Sequence, residues 1–262
     1  MSMPFYVAPE QMMKDKADYA RKGIARGRSL MGVTYADGIL LAAENPSRTL
    51  HKVSEIYDRI AFAGVGKFNE FDQLRVGGVR HADVKGYEYS REDVDARSLA
   101  NAYAQWLGQV FTREIKPMEV EILVAEVGPQ SGGGADQLYH IDFSGTIYDE
   151  DQFAVLGGEA DAIHDRMEAA FTEGWSLADA LKAAIAALAG PERTLQPSDL
   201  EVAVLERPRE RRAFHRIVDG ELAALLGLGD TPSATEDAGA AAIEAPAEGE
   251  GNGEPSADVA PE

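Results

Sequence analysis

Cysteine is missing from all 262 residues. That absence excludes disulfide staples, thiolate nucleophiles and zinc–thiolate sites, and it fits a cytosolic protein. Long apolar runs are missing too: none approaches the roughly 18 residues that cross a bilayer. The opening MSMPFYVAPEQ lacks a basic region followed by a long apolar stretch, so it does not read as a signal peptide. Positive charge is scarce, with 25 Lys and Arg against 45 Asp and Glu and a formal net charge of −20. Such a balance argues against nucleic acid or anionic membrane as partners, because both reward basic surfaces.

The scarcity is sharpest from Asp230 to Glu262, which holds Ala, Gly, Pro, Ser and acidic residues without Lys, Arg or an aromatic side chain. Too little apolar surface is available there to offset the entropy of ordering, so the segment reads as a disordered, solubilising tail. The whole chain is 45% hydrophobic, as in ordinary globular proteins, and long enough to bury a substantial core. The expected organisation is a flexible peptide over 1–8, one domain over 9–229 and the tail over 230–262.

What is present falls into a regular order. Residues 9–26 predict a helix, with Pro9 suited to its first turn and Met13, Ala17, Ala20 and Ile24 on one face. Leu30 to Tyr35, the turn signal Asp37-Gly38 and Ile39 to Ala43 predict a hairpin, and 50–57 with 59–64 a second. Helices are expected over 67–84 and 97–113, the latter carrying a stripe of Leu99, Tyr103, Trp106, Leu107, Val110 and Phe111. The order then repeats, with strands over 119–127, 137–143, 146–150 and 153–157 and helices over 159–173 and 177–189. Ser176 and Asp179 resemble a capping box, and Gly190-Pro191 a helix stop. A last hairpin, 200–205 with 213–218, and a short helix ending near Leu228 complete the domain. Paired strands and paired helices in this order predict an α+β, four-layer αββα sandwich rather than a parallel βαβ sheet.

Several chemistries are sought and not found. Gly64-Val65-Gly66-Lys67 has the flavour of a phosphate loop, but Ala61 and Phe68 stand where a Walker motif needs Gly and a hydroxyl. The histidines, at 51, 81, 140, 164 and 215, show no metal-ligand spacing and read as surface or hydrogen-bonded residues. No G-x-S-x-G elbow occurs. Neither a cofactor nor a metal is expected. Arg207, Arg209, Arg211, Arg212 and Arg216 cluster at the last hairpin, where offsetting local acidity is the preferred reading.

Three stretches carry a resemblance: RKGIARGRS at 21–29, ENPSRTLHKVSEIYDRIAFAGVGKFNEFDQLR at 44–75 and DARSLANAYAQWLGQVFT at 95–112. In order and spacing they closely resemble actinobacterial 20S proteasome α subunits. The similarity runs through the final hairpin near Gly220 and weakens at GPQSGGGAD and in the tail. The resemblance implies the N-terminal-nucleophile hydrolase sandwich with an extra N-terminal helix. It also implies a heptameric ring of this chain type stacked on proteasome β subunits, where the proteolytic sites lie. Further partners implied are an ATPase or other activator ring docking through its C-terminal tails, and protein substrates in transit; no nucleic acid or membrane partner is expected.

The same resemblance assigns residues. In β subunits a processed N-terminal threonine is the nucleophile, helped by an acidic residue and a lysine; the matching places here hold Arg28, Glu44 and Lys52. A guanidinium is no nucleophile, so the chain is expected to be non-catalytic, part of a threonine-type endopeptidase complex. The alternative is an active hydrolase processed after Arg28 and using Ser29. The implied docking pocket comprises Gly27, Lys52 and Gly66: an ammonium for a tail's terminal carboxylate, and glycines that let its backbone approach. The implied gate is the apolar peptide Met1, Ser2, Met3, Pro4, Phe5, Tyr6, Val7 and Ala8.

Overall fold

Alternation in the strands decides where the layers meet. A computed structural model of the chain describes residues 8–129, 134–209 and 212–227. Its elements are α1 (Pro9–Ile24), β1 (Leu30–Tyr35), β2 (Gly38–Glu44), β3 (Val53–Tyr57), β4 (Ile60–Gly66), α2 (Phe68–Glu88) and α3 (Ala96–Arg113). There follow β5 (Val120–Glu126), β6 (Gln137–Ile141), β7 (Ile147–Glu150), β8 (Phe153–Leu156), α4 (Ala160–Ala170), α5 (Leu177–Ala189), β9 (Leu200–Glu206), β10 (Phe214–Ile217) and α6 (Asp219–Leu225). Two short 3₁₀ turns, Arg91–Asp93 and Pro197–Asp199, were not expected.

The strands form two five-stranded antiparallel sheets, ordered β10-β9-β2-β1-β8 and β3-β4-β5-β6-β7. Every residue of β2 is buried, because both of its faces are covered. Ile39, Leu41 and Ala43 point between the sheets, towards Leu123, Ala125 and Leu138. Leu40 and Ala42 point outward into a core built with α4 and α5. On the other sheet Phe62, Ile122, Val124 and Ile141 face Leu99, Tyr103 and Leu107 of α3 and Phe71 and Leu74 of α2. The result is the expected αββα sandwich. The sheets approach so closely at Gly32 that a Cβ there would lie 2.6 Å from Leu123 Cδ2.

The helix ends follow local chemistry. Asp95 accepts the Ser98 amide at 2.7 Å, and Ser176 accepts that of Asp179 at 3.2 Å. Gly190, with φ +67°, ends α5 as its sequence position suggests. Helix α4 stops at Ala170, short of the expected 173, because the extended Phe171 turns its ring onto Phe153 and Trp175. Strand β3 begins at Val53 rather than 50. The Lys52 amide is taken by the Glu201 carboxylate at 2.8 Å, and the Leu50 carbonyl by Asn45 Nδ2 at 2.8 Å.

Helix α1 closes the open mouth of the sandwich. Ala20 and Ile24 belong to the layer between the sheets, with Ala17 packed against it. Lys16 is buried, and its Nζ donates to the carbonyls of Phe111 at 3.0 Å and Glu114 at 2.6 Å. These lie at the C-terminal end of α3, where carbonyls lack intrahelical partners and a cation is favoured. Lys16→Met keeps the apolar stem but strands both acceptors. The expected loss is about 2 kcal/mol, a drop of roughly 4–8 °C in the melting temperature of the purified chain. An unchanged melting temperature would mean that the apolar face alone seats α1.

Candidate functional site

Beyond Ile24 the chain must turn back to enter β1, and small residues make that turn. The Gly27 amide donates to the Ile24 carbonyl at 2.7 Å. A Cβ on Gly27 would sit 2.8 Å from Val65 Cγ1 and 3.2 Å from the Gly66 nitrogen. Gly66 has φ +110°, and a Cβ there would lie 2.0 Å from the Glu119 carbonyl oxygen, so no other residue fits. The two glycines therefore bring their backbones into contact. Lys52 reaches the same corner, its Nζ donating to the Arg28 carbonyl at 2.5 Å. All three residues of the expected pocket are thus neighbours, each half-buried.

The corner's carboxylates are already engaged. Glu201 is buried and accepts from Asn45 Nδ2 at 2.7 Å, the Lys52 amide at 2.8 Å and the Val53 amide at 3.2 Å. It also faces His51 Nδ1 at 3.3 Å and the Arg216 guanidinium. Glu44, also buried, receives Arg28 Nη1 at 3.1 Å and both terminal nitrogens of Arg193 at 3.3 Å. Among the described residues the Lys52 ammonium has only the Arg28 carbonyl as a hydrogen-bond partner. Burial pushes this lysine down to about 8, against the pull of Glu201 and Glu44 and with the help of the Arg28 charge. The corner can therefore offer ammonium N–H donors to a carboxylate.

Arg28 and Ser29 are both held in contacts within the fold. The Arg28 nitrogen lies in a peptide bond with Gly27, and its guanidinium is tied to Glu44. Ser29 is buried, with its carbonyl accepting the Glu44 amide at 3.1 Å and Gly157 packed over its Cα. In the gate peptide, Met1 to Val7 lie outside the described residues. Ala8 is exposed and precedes α1, its carbonyl accepting the Met12 amide at 3.0 Å. The segment 230–262 also lies outside the described residues.

His51 meets Glu201 and His215 meets Glu221, while His81 packs against Trp106, His164 against Phe153 and His140 against Tyr148. His140 departs from expectation. Its buried Nε2 has no hydrogen-bond partner, Glu121 is 3.9 Å away, and burial pushes the ring down to about 4, so it is neutral. Its position on β6, facing between the sheets, carries no signal in the local sequence. On α4, His164, Asp165 and Glu168 bring ligand-type atoms within 4.8 Å of one another, but all three are exposed. Their helical spacing of one and four residues could have marked them as one face; HExxH-type templates miss it.

The hairpin arginines are each matched by an acid: Arg207 by Asp136, Arg209 by Glu206, Arg212 by Glu55 and Arg216 by Glu201. Arg211 lies outside the described residues. A cavity of 790 Å³ runs beside Arg209, Arg212 and Arg216, yet its cations are paired one to one. Among the described residues no helix is long and apolar enough to cross a membrane.

The depressed Lys52 has a measurable consequence. Its folded value of about 8 lies below the 10.5 of a free lysine, so between these limits the unfolded chain binds more protons. Stability contributed by this position therefore rises with pH through that window. Relative to Lys52→Met, the native chain should gain melting temperature between pH 8 and 10.5. A difference that stays constant with pH would show that the ammonium is not desolvated.

The family model described as "Proteasome subunit" matches residues 24–205. The chain is 62% identical over 227 residues to "Proteasome subunit alpha" of Acidimicrobium ferrooxidans, covering 87% of this chain and 97% of that one. It is 55% identical over 231 residues to the protein of the same name in Thermomonospora curvata, covering 87% and 100%. Over 246 residues it is 52% identical to that of a Mycobacterium species, covering 92% and 98%.

Proposed function

This chain belongs to the proteasome subunit family, and from that premise we propose that it acts as a non-catalytic α subunit. Such subunits form the outer ring of the 20S core particle, gate substrate entry and receive activator rings, while β subunits cut. The observation that carries the reading is Arg28. It stands where a β subunit has its nucleophile, its nitrogen is a peptide amide and its guanidinium is held by Glu44. Ala20 and Ile24 of α1, just upstream of Arg28, are buried in the core between the sheets. The processed-hydrolase alternative would need α1 to be removed from its core contacts.

The corner of Gly27, Lys52 and Gly66 supports the docking role. The two half-buried glycines pack backbone against backbone beside Lys52, which supplies a cation with spare donors. In the particle assembled with its cognate β chain, Lys52→Ala should leave assembly and small-peptide hydrolysis nearly unchanged. Binding of an ATPase ring should fall sharply. One partly desolvated charge-assisted contact is worth about 1.5–3 kcal/mol, and repetition around the ring multiplies its effect. Because the ammonium titrates near 8, docking of a free carboxylate should weaken as pH rises through that value. Normal stimulation of the variant by a C-terminal activator peptide would remove the docking assignment.

The gate reading rests on sequence. Eight residues span at most about 28 Å when extended, enough to reach from an inner rim towards a ring's axis. Phe5, Tyr6 and Val7 would there bury apolar surface against their symmetry mates. Deleting Met1 to Val7, with Ala8 kept to start α1, should raise small-peptide turnover without changing which bonds are cut. Equal rates would place the gate elsewhere.

A further inference from the structure

The positive charge beside Lys52 exceeds what one carboxylate can balance. Arg28 and Arg193 both hold Glu44, at 3.1 and 3.3 Å, and both side chains remain about half exposed, at 51% and 50%. Arg28 makes a single side-chain hydrogen bond among the described residues, Nη1 to Glu44 Oε1. Arg193 spends its two terminal nitrogens on Glu44 and the Leu188 carbonyl. Each guanidinium carries five N–H donors in a fixed fork, so both present unused edges to solvent. Glu201 cannot balance them, being already engaged by Arg216, Asn45, His51 and two backbone amides.

The contrast within the molecule is direct. At the β9–β10 hairpin four arginines meet four separate acids. At the corner two arginines share the single carboxylate of Glu44, with the Lys52 ammonium beside them held only by the Arg28 carbonyl, on a chain whose formal charge is −20. Arg28 also joins the two features covalently, since its carbonyl receives Lys52 Nζ while its side chain holds Glu44.

We propose that Arg28 and Arg193, held side by side by Glu44, form a second anion subsite that takes an Asp or Glu side chain near the carboxyl end of the docking tail. The occupant is an acidic peptide terminus, chosen by charge: a planar carboxylate suits a guanidinium edge, and the neighbouring Lys52 takes the terminal carboxylate. This deepens the docking reading and rests on it. The two carboxylates are recognised separately, one as the chain terminus and one as a side chain, so the corner selects among tails rather than accepting every free terminus.

The test uses the full chain assembled with its cognate β subunit and synthetic fluorescent peptides read by anisotropy. One Glu is placed at the second, third or fourth residue from a free carboxyl end, and each peptide is compared with its Gln counterpart and its C-terminal amide. In at least one register Glu should bind about five- to tenfold better than Gln, with the preference shrinking in high salt. Arg193→Gln and Arg28→Gln should abolish that preference while leaving the Gln peptides unchanged. Glu44→Gln, which removes the competing carboxylate, should enlarge it. Lys52→Ala should erase discrimination between free carboxylate and amide but keep that between Glu and Gln. Equal binding of Glu and Gln peptides in every register, with dependence on Lys52 intact, overturns the subsite and leaves docking standing. A Glu preference that depends on Arg193 but not on Lys52 or the free terminus upholds the subsite and removes the docking reading. Absence of any peptide binding overturns both.

Discussion

The seating of α1 across the mouth of the sandwich is the constraint on which the rest depends. Ala20 and Ile24 complete the layer between the sheets, and Lys16 satisfies carbonyls at the end of α3. With the helix fixed there, the chain has three residues in which to turn before Arg28 and Ser29 lead into β1. That short turn forces Gly27 against Gly66 and sets Arg28 beside Glu44 and Lys52. One packing decision therefore sets the positions of Gly27, Arg28, Lys52 and Gly66 together.

Glu44 and Lys52 both meet Arg28 just before β1, the first through its guanidinium and the second through its carbonyl. Burial, with help from the Arg28 charge, holds Lys52 below its ordinary value. The lysine faces outward with donors to spare. Such a group is suited to binding an anion from another chain.

Much of this was legible in the sequence, for physical reasons. The helix of 9–26 announced itself through Ala17, Ala20 and Ile24 at helical spacing, and the Asp37-Gly38 turn through its backbone chemistry. Motif context also brought Gly27, Lys52 and Gly66 together as one expectation, and they are neighbours. What stayed illegible depends on contacts far apart in the chain. Arg193 lies 149 residues from Glu44, and no local pattern links them. The same holds for Lys16 and α3, for Glu201 taking the Lys52 amide and so delaying β3, and for the buried, unpaired nitrogen of His140. Boundaries moved where a side chain captured a backbone group that the strand pattern had assigned to a ladder.

Everything above requires Arg28 to be an internal residue of a folded, non-catalytic subunit. The most direct measurement is the intact mass of this chain isolated from particles that are actively cleaving peptide. The account predicts a mass that retains the whole of α1 upstream of Arg28, with any processed N-terminus found on the β chain alone. A chain whose new N-terminus is Arg28 or Ser29, recovered from active particles, would contradict it.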